Sequence, residues 1–316
     1  MNKRLLTAAA AALLVLAVAC NSESPARDSA PQKVDLASLR AQCRFGGKIA
    51  FQSDMTGNNE IYVLTADNLR RLTDTPWSDE YPKWSPDGNR IAFSANPHGK
   101  FQIFVMNADG TGLKQVSHSA FEAIEEAWYP DGKKIAYTEQ RKAGLRKSFT
   151  LYSVDLETGA EKKILPDFRN SSSLPEFSPT APLMAFTGKK LLGWGVYIHD
   201  FATGTTRVLT SGGGACRPNF SPDGRRIAFV SSAADKKADI WLINPDGRDK
   251  MRLTDLPDTF DYYPSWSPDG RFIVFASGTR HYPYQGQWSL AIVEVATKKS
   301  RPLFASGARD VFPDWR

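Results

Sequence analysis

"FDYYPSWSPDGRFIVFAS" (260–277) places Trp266 ahead of a Ser-Pro-Asp-Gly turn, which leads into an apolar run. The same string returns as "YPKWSPDGNRIAFSA" (81–95), "EEAWYPDGKKIAYTE" (125–139), "LPEFSPTAPLMAFTG" (174–188) and "CRPNFSPDGRRIAFVS" (216–231). It starts once more in "ARDVFPDWR" (308–316) and stops after the aromatic. The marker aromatics are Trp84, Trp128, Phe177, Phe220, Trp266 and Trp315, spaced 44, 49, 43, 46 and 49 residues apart. That period is close to one four-stranded propeller blade.

Each unit contains four short strand-like runs rich in β-branched and aromatic residues. In blade two, "RIAFSA", "QIFVMN" and "LKQVSH" follow the marker strand. Asp-Gly supplies the tight turn after the first strand, because Pro presets φ and Gly accepts a positive one. No stretch within the repeats keeps a helical period over ten residues, and "FEAIEEAW" (121–128) is read as a single-turn insertion. The first unit, from "GGKIAFQSD" (46–54), lacks a marker strand, and the last residues are a marker strand without a blade. Phe312 to Trp315 are therefore expected to pair with Lys48–Ser53 and close a ring. The expected fold is all-β, a six-bladed propeller over 46–316, since closure removes exposed sheet edges.

"MNKRLLTAAAAALLVLAVAC" (1–20) has a basic start and an apolar run too short for a comfortable membrane span. Residues 1–19 read as an export signal. Ala17-Val18-Ala19-Cys20 resembles the bacterial lipobox, which implies lipidation at Cys20 and a membrane anchor. Asn21 after the cysteine, by resemblance to Gram-negative sorting rules, favours the outer membrane, facing the periplasm. Residues 20–45 form a polar, Ser/Pro-rich tether, with one or two helical turns expected at "VDLASLRA" (34–41). Cys43 and Cys216 are either one disulfide in an oxidising compartment or two free thiols. A net charge of +6 falls by two once Lys3 and Arg4 leave with the signal. Such a balance, without a basic run, does not argue for nucleic acid.

"WSPDGNRIAFSA" (84–95) followed by "QIFVMNADGTG" (102–112) resembles the TolB-type (WD40-like, PD40) propeller repeat. The resemblance covers about 46–316 and departs from the pattern in blade four, which lacks Asp-Gly, and in blade three, where Tyr129 replaces Ser. TolB-type proteins carry a separate N-terminal α/β domain, in whose place this sequence has only the tether. The resemblance implies a non-enzymatic envelope lipoprotein, a monomer, that binds a partner protein such as a peptidoglycan-associated lipoprotein. No Gly-x-Ser-x-Gly, His-Glu-x-x-His, CxxC or phosphate loop is present.

The channel-mouth face carries the loops into the first strands and those joining second to third strands. Five residues before each marker stand Asp79, Ala123, Ser172, Ala215, Asp261 and Asp310. Three neighbouring blades thus supply Asp, extended by Glu80, Glu125 and Glu126, while blade five supplies Arg217. Two readings stay open. One is a docking arc or a Ca²⁺ site on Asp79, Asp261 and Asp310, and the other is local capping of each turn. Trp77 and the loop "RHYPYQGQW" (280–288), with Arg280, Tyr282, Tyr284 and Trp288, add the residue types of binding hot spots. The alternative function is glycan binding or a metal-dependent lyase of the oligogalacturonate type, for which His98, His118 and His281 lie in mouth loops. His199, inside a strand, reads as structural.

Overall fold

The structure is a computed structural model and describes residues 46–144, 146–190, 193–210, 214–280 and 286–316. The export signal, the tether, Cys20, Cys43, the expected helical turns at 34–41, His281, Tyr282 and Tyr284 lie outside these residues. Six antiparallel four-stranded sheets form the six blades. The closing strand Asp310–Trp315 pairs with Ile49–Ser53 in the register Ile49↔Trp315, Ala50↔Asp314, Gln52↔Val311, Ser53↔Asp310. That is the pairing expected from the interrupted repeat.

Closure is reinforced side chain by side chain. Ser53 Oγ donates to Asp310 at 2.6 Å, and the Trp315 indole N–H donates to the Gly46 carbonyl at 2.9 Å. Arg309 meets Asp54 through its backbone N–H at 2.8 Å and its Nε at 3.0 Å. Gly47, with φ +87°, lies so close that an added Cβ would stand 2.4 Å from the Arg316 carbonyl oxygen.

Each Ser-Pro-Asp-Gly turn is held from within. Ser267 Oγ donates to Asp269, which accepts from the Arg271 N–H, while Ser267 Oγ accepts from the Phe272 N–H. The core sits between blades. Phe51, Phe93, Tyr137, Phe186, Phe229 and Phe275, one per second strand, are essentially inaccessible. The marker aromatics stack beside them and reach sideways: the Trp128 indole donates to the Lys83 carbonyl and the Trp266 indole to the Asn219 carbonyl, each one blade back.

"FEAIEEAW" (121–128) does not form a helical insertion. It is the strand Glu122–Trp128, the innermost strand of blade three. The helix propensity of Ala and Glu is worth a few tenths of a kcal/mol per residue and yields to a ladder that an unfilled blade requires.

Gly47→Val should lower stability by about 2 kcal/mol or more, since it combines a disfavoured φ with a backbone clash at the seam. Thermal unfolding of variant and parent measures the loss; an unchanged midpoint would mean that the seam does not limit stability.

Candidate functional site: the central channel

Each innermost strand carries a register shift, placed between Glu80 and Lys83 in blade two and between Tyr262 and Ser265 in blade six. At the bulge, three residues before the marker, a non-glycine residue takes positive φ. These are Tyr81 (59°), Glu125 (57°), Leu174 (53°), Arg217 (56°), Tyr263 (58°) and Phe312 (53°). Pro follows in five blades and Glu126 in the sixth. The bulge re-aims these side chains into a ring across the channel, where they line a small cavity of about 70 Å³.

The ring is divided chemically. Phe312 lies 4.2 Å from Tyr81 and 4.0 Å from Tyr263 between ring centroids. The Arg217 guanidinium stands 4.4 Å from the Tyr263 ring centroid and donates to its hydroxyl at 3.1 Å. Leu174 and Glu125 complete the circle. Burial raises the Glu125 carboxyl pKa despite the opposing charge of Arg217. One arc is therefore aromatic and the other holds a guanidinium and an acid.

Two residues further along each strand, a polar layer crosses the channel. Lys83 Nζ bridges Asp314 at 3.0 Å and Glu176 at 3.8 Å, and Asn219 donates to Glu176 at 3.1 Å. Burial pulls the Lys83 ammonium down, but Asp314 and then Glu176 more than offset it, so its pKa lies above the ordinary value. Below this layer, towards the Ser-Pro-Asp-Gly turns, opens a wider cavity of about 400 Å³ lined by Trp84, Trp128, Trp266, Trp315 and turn prolines.

The three aspartates do not line the mouth. Asp79, Asp261 and Asp310 are all fully buried. Asp79 accepts from Thr75 Oγ1, Asp261 from Ser277 Oγ, and Asp310 from Ser53 Oγ, Ser306 Oγ and the Ser306 N–H. This is the capping arrangement. Among the described residues, no group of three His, Cys, Asp or Glu is placed to hold a metal ion. Hydroxyl and N–H donors already occupy these carboxylates and the three are not grouped, so the Ca²⁺ reading on them does not fit.

Glu80 is buried as well, accepting from Asn59 Nδ2 and Ser78 Oγ. Trp288 is a core residue, 1% exposed and packed so closely on Gly278 that an added Cβ would lie 2.5 Å from its ring. It is not a contact residue. Of the expected contact set, half-buried Trp77 and Arg217 and exposed Arg280 remain accessible. Tyr81, Tyr263 and Phe312 were not expected; six residues at one repeat position, mostly ahead of Pro, were the signal that could have found them. His98 and His118 are exposed, and His199 shares a hydrogen bond with Thr206 at 2.8 Å. Cys216 is half-buried next to Arg217.

Desolvation raises several buried acids: Asp79 to about 7, Glu126 to about 8 and Asp310 to about 6, each partly offset by hydroxyl donors. These groups keep protons in the folded state that the unfolded chain has already released. Their stabilising effect is thus complete at low pH and is lost as pH rises through the folded values. The melting temperature should fall from pH 6.5 to pH 8.5, and Asp79→Asn should shrink that fall; an equally steep profile in the variant would refute the assignment. Lys83→Met leaves Asp314 and Glu176 without their cation and should cost about 3 kcal/mol in denaturant unfolding.

The sequence matches the TolB beta propeller domain (PD40) over residues 44–190 and 139–315. An uncharacterized protein of Agrobacterium fabrum, Atu1656, is 28% identical over 71% of this chain and 74% of its own length. The Tol-Pal system protein TolB of Francisella tularensis is 24% identical over 71% of this chain, which spans only 52% of that relative. TolB from Acinetobacter baumannii superposes with a TM-score of 0.73 at 21% identity, over 86% of this chain and 67% of that one. An oligogalacturonate lyase in complex with manganese superposes more loosely, at 0.52 and 15% identity over 89% and 74%. Both likenesses concern the fold alone. With six repeat units, the closing strand and a family match spanning nearly all described residues, this chain belongs to the TolB β-propeller (PD40) family.

Proposed function

We propose that this protein is a non-enzymatic propeller of the cell envelope that binds a partner protein at the mouth of its channel. The observation that carries the reading is the mouth ring. Aromatic side chains and an arginine, the residue types that dominate protein-binding hot spots, converge there from separate blades on strained backbone. Residues held at positive φ cost about 1–3 kcal/mol each and persist only where the surroundings enforce them. Half-buried Trp77 and exposed Arg280 belong to loops of the same face.

The Tol-Pal name of a relative supports an envelope location and a partner of the peptidoglycan-associated lipoprotein kind. The lipobox-like Ala17-Val18-Ala19-Cys20 supports anchoring through an acylated Cys20, in the outer membrane and facing the periplasm. A partner loop would meet half-buried Tyr81 and Arg217, which the buried Phe312 and Tyr263 rings hold in place, at little entropic cost.

The test is crosslinking in the native envelope, probed for a peptidoglycan-associated lipoprotein, with the parent chain and with Arg217→Ala plus Arg280→Glu. The double variant should lose at least about tenfold of the crosslinked partner while keeping its melting temperature. Undiminished crosslinking, or recovery of saccharide alone with a chelator-sensitive cleaving activity, would overturn the proposal.

A further inference from the structure

Blade three carries an extended hairpin, Lys134–Ala143 with Arg146–Asp155. In blade two the corresponding ladder ends at Ala95↔Gln102, and in blade five at Ser231↔Asp239. By repeat position Glu139 matches Ala95, so blade three continues by four further pairs, up to Ala143↔Arg146. At about 3.4 Å per residue the addition runs roughly 14 Å past the end of the blade two ladder. Blade four extends the same way, to Lys189↔Trp194 and Lys190↔Gly193. The two hairpins touch: the Phe149 and Trp194 rings meet edge to face at 5.9 Å.

What they carry is mostly positive charge. "QRKAGLRKSF" (140–149) holds four cations and no acid, and "TGKKLLGWG" (187–195) holds two and none. Arg141, Lys142, Arg146 and Lys189 are exposed, and Lys147 is half-buried. Arg141 leans on Glu139 at 2.7 Å, and Lys189 Nζ lies 5.8 Å from the Trp194 ring centroid. Lys142 stands directly opposite Lys147 across the ladder. Like charges in that position oppose pairing, so this tip is not built for the hairpin's own stability. The charges stand on hairpins that project past the ladders of blades two and five. A broad anionic surface fits that shape better than a peptide does. Tryptophan beside lysine is also a typical pairing at the membrane–water boundary.

We infer that the hairpins of blades three and four form a docking face for a bilayer rich in anionic phospholipid headgroups. The contact lies to one side of the channel mouth, is electrostatic, and is separate from partner binding there.

The test uses the full chain carrying Cys20→Ser, which removes the acyl acceptor, and vesicles of phosphatidylcholine with or without phosphatidylglycerol. Binding should require phosphatidylglycerol and weaken with salt. Lys142→Gln plus Lys147→Gln should weaken it by roughly 25-fold, about fivefold per cation. Lys133→Gln plus Arg225→Gln, at turns on the opposite face, should leave it unchanged. Both pairs lie at exposed or half-exposed surface positions, and circular dichroism verifies the fold. Equal binding to both vesicle types, no effect of the hairpin pair, or binding of polyglutamate by the hairpins without any binding to vesicles would overturn the inference. Because no protein partner is present, failure here is distinct from failure of the mouth-binding proposal.

Discussion

The pairing of Asp310–Trp315 with Ile49–Ser53 is the constraint on which the molecule rests. It joins residues more than 250 positions apart, and Asp314 carries the connection on into blade two, accepting from the Trp84 N–H at 2.7 Å and from Lys83. Without it, the first blade would expose an unpaired edge and the last interface would be unfilled. Contacts so distant in sequence form slowly, because the loop must close before it is rewarded. The Ser53–Asp310 and Arg309–Asp54 contacts concentrate at the place where that late step ends.

Around this seam the fold repeats one local irregularity six times. Each innermost strand bulges, and each bulge turns one side chain towards the axis. A plain alternating strand would expose the inner channel to whichever residue fell on the inner parity. The bulge changes that parity midway, so residues on either side of it serve different ends. Those before it anchor three of the strands through buried Asp79, Asp261 and Asp310, and those after it build the Lys83–Asp314–Glu176 layer.

The same parity change explains what could be read from sequence and what could not. Blade count, strand order and closure are one-dimensional signals, carried by the Trp-Ser-Pro-Asp-Gly period and by its truncation at Trp315. Whether Asp79 faces solvent or core is a matter of direction, and the bulge between Glu80 and Lys83 is not visible as a residue type. Counting back five places from each marker found the right position and the wrong orientation. Trp288 misled for a similar reason: it follows a long loop but begins a strand, and Gly278 leaves the room that its indole fills. Glu122–Trp128 misled because local propensity is weaker than the demand of an incomplete sheet. Arg217 stands in the ring because its own bulge re-aims it, whichever way the flanking residues face.

The Lys83 layer has a further consequence for the axis of the molecule. Propellers are often pictured as hollow, yet here a cation clasped by two carboxylates sits midway, under a lid of touching aromatic rings. The axis therefore carries two cavities, a small one at the aromatic ring and a wider one towards the turns, with the Lys83 layer between them. The turn-side cavity is walled by tryptophan and proline. Lys83, Glu176 and Asn219 belong to the walls of both, so a substitution at any of the three reshapes two cavities at once.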